Sequence, residues 1–149
     1  MVFAVCFANR GTFPGSLFDK ARKDISKALA SEGHTPLMMP EGSTRHDAVG
    51  SPAEGRIFAK FLAAHRGEYD GVILSLPNFG DENGAVVALE NAGAPVLVQA
   101  FPDEPGKMGV HERRGVFLLY ELFRYYRGIT LATISAKQPT ANRIMPTFT

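Results

Sequence analysis

The chain is short of several things, and each shortage excludes something. It has one cysteine, Cys6, so no disulfide framework can form within it, and a reducing, cytoplasmic setting is expected. Cys6 sits inside an apolar run and reads as a small buried hydrophobe. Charge of one sign is also missing: 16 Lys and Arg against 15 Asp and Glu leave +1. Such a balance gives no field to draw in nucleic acid or an anionic membrane, and neither is expected as a partner. No apolar run approaches the roughly 20 residues of a membrane-spanning helix. The N-terminus has no basic stretch followed by a long apolar one and a small-residue cleavage site. His34, His46, His65 and His111 are scattered, and none makes the i, i+4 pair of a helical zinc site.

What remains is a chain of 149 residues, which fits one domain with one core. Short apolar runs at Val2–Phe7, Pro36–Met39, Gly71–Leu76, Pro95–Ala100 and Thr130–Ile134 are each flanked by Gly, Pro or Asn. Unbroken apolarity, rather than alternation, suits strands covered on both faces. Helical segments lie between them. Ser16 with Asp19 resembles a capping box, and Leu17, Ala21, Ile25, Ala28 and Leu29 then share a face. Ser51, Pro52 and Glu54 give a second helix start, followed by a stripe of Ile57, Phe58, Phe61 and Leu62. Asp81 is placed to cap a third helix that stops near Gly93, and a fourth runs from about His111 to Arg127.

Strand–helix alternation implies a parallel sheet built from right-handed crossovers. The expected fold class is α/β: a three-layer, doubly wound, flavodoxin- or Rossmann-like sheet of order 2-1-3-4-5. Ligands in such sheets sit beyond the carboxyl ends of the strands where the order reverses. That singles out the loops Ala8–Gly15, Pro77–Glu82 and Phe101–Gly109. The first is neither GxGxxG nor a P-loop, so a nucleotide site lacks its usual cradle. Arg10 offers a fork of donors for hydroxyl or carboxylate oxygens, or else pairs with a local acid. Asn78 offers a donor and an acceptor for sugar hydroxyls, and Phe79 an apolar face. Asp81 and Glu82 are adjacent on a helix start and do not point together. Capping and the helix dipole explain them better than a metal does.

Two features call for a partner. From Val116 to Tyr126 every residue except Glu121 and Arg124 is apolar or aromatic, and a helix apolar all round needs burial all round. After Ile134 the chain carries Pro139 and Pro146, no acid and no helical period. The α/β domain is therefore taken as residues 1–134, with 135–149 an extended tail or linker.

The stretch from Asp70 to Glu82, then Ala94 to Ala100 and Pro102-Asp103, resembles the N-terminal domain of the L-fucose isomerase-like (L-fucose/L-arabinose isomerase) sugar isomerases. Asn9-Arg10-Gly11 is similar to that family's first strand–helix loop, and Glu112-Arg113-Arg114 with Phe117 and Tyr126-Arg127-Gly128-Ile129 resemble its next block. After the paired arginines the family continues with an acid and Phe-Cys-Gly-Lys, whereas this chain has Gly115-Val116-Phe117-Leu118-Leu119-Tyr120 and a shorter segment to Gly128. The resemblance implies an aldose–ketose isomerase that uses a divalent metal, commonly manganese, with carboxylates moving the proton. It implies that metal and proton-transfer residues come from later domains, so that no catalytic residue and no metal ligand is assigned to this chain. The domain would then serve substrate contact, through Arg10, Asn78 and Phe79, and assembly into a homo-oligomer with the remaining isomerase domains or subunits. The alternatives are a non-catalytic sugar-binding or oligomerisation module, and a small flavodoxin-like nucleotide-binding protein.

The chain alone is expected to bind no catalytic metal and to show no isomerase turnover, since no His and carboxylate positions converge. Calorimetric titration with manganese checks this. Tight stoichiometric binding, lost on replacing Asp81 or Glu82, contradicts it.

Overall fold

The computed structural model describes residues 1–13 and 15–101, with the backbone of 131–135. The expected fourth helix with its apolar run 116–126, the loop beyond Phe101 and the tail beyond Ser135 lie outside the described residues. In chain order the elements are β1 (Val2–Phe7), α1 (Leu17–Ser31), β2 (Thr35–Leu37), a single tight turn of helix at Arg45–Asp47, α2 (Pro52–Ala64), β3 (Gly71–Leu76), α3 (Glu82–Leu89), β4 (Val96–Ala100) and β5 (Leu131–Ser135). The strands form a five-stranded sheet of order β2-β1-β3-β4-β5, and every neighbouring pair is parallel. This is the expected doubly wound α/β arrangement.

Successive strand residues point to opposite faces, and the core divides accordingly. Ala4, Cys6, Val72, Leu74, Leu76, Val96 and Val98 meet Phe58 and Leu62 of α2 and Ala85, Ala88 and Leu89 of α3. Val5 and Phe7 meet Phe18, Ala21 and Ile25 of α1 on the other face. Every residue of β3 is buried, which accounts for its unbroken apolar sequence. Burial likewise pushes the Cys6 thiol well above its ordinary range, because a thiolate there has no water or counter-charge. Cys6 is thus the inert core residue expected.

Two details of the helices differ from the sequence reading. Ser16 makes no side-chain cap, because its backbone is already helical at φ −62°, ψ −15°; a capping hydroxyl needs an extended residue to reach back to the amides. The chain turns one residue earlier, with the Phe18 amide donating to the Gly15 carbonyl at 3.2 Å. The buried row is accordingly Phe18, Ala21 and Ile25, while Ala28 is exposed. On α2 the row is Gly55, Phe58 and Leu62, and Ile57 lies off it, 42% exposed. The α2 start is as expected: Ser51 is extended, its hydroxyl accepts from the Glu54 amide, and Pro52 opens the helix. Asp81 caps α3 through the Gly84 amide at 2.6 Å.

Gly55 sits where α2 and α3 cross. A Cβ there would fall onto the Gly84 carbonyl oxygen and within 3.2 Å of the Ala88 amide nitrogen. Both obstacles are backbone and cannot swing aside. The Gly55→Ala variant is expected to lose about 1–3 kcal/mol, the usual cost of overpacking. Urea unfolding should show a lower midpoint at unchanged slope.

Candidate functional site at the carboxyl ends of the first and third strands

β1 and β3 end side by side, with Phe7 opposite Ser75. The pairing runs on past the strand, since the Ala8 amide donates to the Ser75 carbonyl at 2.9 Å. On its other side β2 stops at Leu37, and the chain returns at Val49 to take over. Val49 donates to the Phe7 carbonyl at 2.7 Å and Asn9 to the Val49 carbonyl at 2.8 Å, forming a parallel bridge between Ala8 and Val49. The end of β1 is therefore held from both sides.

Beyond it, the two loops are joined by side-chain amides. Asn78 is wholly buried. Its Oδ1 accepts the Arg10 amide at 3.0 Å and the Gly80 amide at 3.1 Å. Its Nδ2 donates to Asn9 Oδ1 at 2.9 Å, and Asn9 is itself only 4% exposed. Gly80 takes a positive φ of 69° to make the turn, a conformation that suits glycine.

This clasp aims Arg10. Its Nε donates to the Gly80 carbonyl at 3.0 Å, and its Nη2 donates to both carboxylate oxygens of Glu82. The Arg10 side chain keeps 34% of its surface exposed, against 15% for Glu82. Among the described residues no hydrogen bond is made by Nη1. Phe79 lies alongside, its ring centroid 6.0 Å from the guanidinium carbon and 5.3 Å from the Phe13 ring. Both rings are half-buried. The product is a small surface with a fixed donor edge next to an aromatic face.

The three residues singled out in sequence are thus brought together. Arg10 and Phe79 reach the surface, whereas Asn78 turns inward and positions the other two. Sequence reasoning missed Asn9, Phe13 and the pairing role of Glu82. The pattern Asn-Arg at the end of one strand and Asn-Phe-Gly at the end of its neighbour was the available signal. A second buried polar pair lies one strand over, where Ser75 Oγ donates to Gln99 Oε1 at 2.8 Å. Among the described residues no three His, Cys, Asp or Glu side chains are grouped to hold a metal. Asp81 is taken up by its cap and Glu82 by Arg10.

The chain matches the family described as fucose/sulfoquinovose isomerase, N-terminal domain, over residues 4–118. It belongs to that family. The match runs from Ala4 within β1 through β4 and takes in every residue of the cluster, and it agrees with the resemblance read from the sequence. It ends inside the segment where this isomerase N-terminal domain departs from the family pattern. A comparison with curated proteins finds no match. Among the described residues, no helix of this isomerase domain is long and apolar enough to cross a membrane.

Replacing Asn78 with Ala is expected to loosen the cluster. It leaves the amides of Arg10 and Gly80 without their acceptor, and a buried amide stranded in this way costs about 1–3 kcal/mol. Chemical denaturation measures the loss, and accelerated amide exchange at Arg10 and Gly80 locates it.

Proposed function

We propose that this domain supplies substrate contact and an assembly surface to an aldose–ketose isomerase of the L-fucose isomerase kind. The observation that carries the reading is the Arg10 guanidinium, locked by Gly80 and Glu82 with one edge turned outward beside Phe79. A sugar is polar at its hydroxyls and apolar at its C–H faces, and these two groups suit both. Arg10 Nη1 donates to hydroxyl oxygens, and Phe79, backed by Phe13, covers a C–H face and keeps water from it. Asn78 serves the sugar by holding the Arg10 amide and the Gly80 turn in place.

The described residues do not fit a metal site, because their carboxylates are committed or isolated. In the proposed enzyme the divalent cation, taken as manganese, and the proton-transferring groups belong to the remaining domains or subunits. They meet the Arg10 and Phe79 surface on assembly into a homo-oligomer. A reducing, cytoplasmic setting goes with this, and the buried thiol of Cys6 is compatible with it.

In the assembled isomerase, Arg10→Ala should raise KM far more than it lowers kcat. Loss of a charged hydrogen bond is worth roughly 1.5–3 kcal/mol, which is about tenfold or more in binding. Steady-state kinetics on a folded variant, and a structure with a sugar alcohol bound, test the reading together. A ligand lying beyond side-chain reach of both Arg10 and Phe79 in every subunit overturns it.

A further inference from the structure

The family description spans a neutral sugar and a sulfonated one, so membership alone leaves open which kind of group Arg10 meets. We infer that Glu82 is a specificity-determining residue that makes the Arg10 surface a reader of uncharged hydroxyls and closes it to sulfonate, phosphate and carboxylate. This rests on the reading of Arg10 and Phe79 as a sugar contact.

The donors of Arg10 that an oxyanion needs are already occupied. An oxyanion binds arginine best through two parallel N–H groups, either along the Nε–Nη2 side or across the Nη1–Nη2 end. Both forks include Nη2, and Nη2 is spent on Glu82. Nε is spent on the Gly80 carbonyl. Among the described residues Nη1 remains, on a side chain one-third exposed, and it suits single hydrogen bonds to hydroxyl oxygens. Charge points the same way. Glu82 cancels the guanidinium at contact distance, and Asp81, next to it at the start of α3, adds a second negative charge. Among the described residues of the cluster, an arriving anion meets no net positive charge and two carboxylates. Nor is Glu82 free to swing away. It is the first residue of α3, where an acid is favoured by the helix dipole, and its side chain is only 15% exposed.

The test uses the full chain and two probes, methanesulfonate as the simplest sulfonate and L-fucitol as a neutral polyol. Amide chemical shifts of Arg10, Phe79 and Gly80 are followed on titrating the wild type, Glu82→Gln, Glu82→Ser and the double variant Arg10→Gln/Glu82→Gln. Glutamine removes the charge that holds Nη2, leaving a weaker neutral acceptor that an anion can displace, and serine is too short to reach Nη2 at all, so both variants open the Nη1–Nη2 fork. Methanesulfonate affinity should rise about tenfold or more in both single variants and vanish in the double one. Equal methanesulfonate affinity in the wild type and the single variants overturns the inference, and so does a gain that survives loss of Arg10. Absence of binding by either folded single variant overturns it too. The serine variant carries the comparison should the glutamine variant fail to fold. Fucitol separates this inference from the reading beneath it: a wild-type chain whose Arg10 and Phe79 amides ignore fucitol removes the sugar contact, whatever methanesulfonate does.

Discussion

One oxygen, Oδ1 of Asn78, accepts two backbone amides from the ends of two neighbouring strands. Where a parallel sheet stops, the ladder stops with it, and the next amides need acceptors from elsewhere. Water serves at an open surface. Here the ends are buried, and a side chain supplies what water cannot. The Arg10 backbone is set by that bond, and the direction of its guanidinium follows. The Gly80 carbonyl that receives Nε is in turn placed by the turn the same oxygen secures. The donor edge beside Phe79 exists because a residue with no exposed surface holds the loops behind it.

The clasp is backed by close contact between helices. Gly84, which donates to the cap of Asp81, lies so near α2 that a Cβ would come within 2.8 Å of the Ser51 carbonyl oxygen. Gly50, just before that helix, lies against the Asn9 carbonyl in the same way. Its amide is held by Glu54 at 2.8 Å. The start of α2 therefore touches both the first loop, through Gly50, and the start of α3, through Ser51. Small residues at these points let three backbone segments meet without side chains between them. Rigidity at the site comes from this convergence more than from the ion pair, since pairs of partly exposed charges contribute modestly.

Much of this could be read from the chain before its shape was known. The strand runs and the starts of α2 and α3 carried strong local signals, and parallel alternation left few topologies open. The meeting of Arg10, Asn78 and Phe79 followed from the adjacency of β1 and β3. What escaped was geometry that depends on one residue of phase or on distant backbone. Ser16 followed by Asp19 has the composition of a cap, but the chain had already turned at Gly15. Ile57 is as apolar as Phe58, yet it sits about 100° further round the helix and faces solvent. Glu82 looked like a dipole-compensating acid, and nothing local shows that an arginine 72 residues earlier reaches it. Asn78 offered both a donor and an acceptor, and composition does not say whether they face a ligand or the protein.

The margin of the sheet at β2 has a consequence of its own. This strand is three residues long and pairs with β1 through Thr35, Pro36 and Leu37. The Thr35 amide points inward, donating to the Met1 carbonyl at 3.0 Å. Amides alternate along a strand, so the next one would point outward, and that position is Pro36, which has none. An incoming strand from another molecule finds too short a template with its central donor removed. The fold is thereby protected on this side against edge-to-edge aggregation, and copies of the chain that associate must do so through side-chain surfaces instead of by extending the sheet past β2.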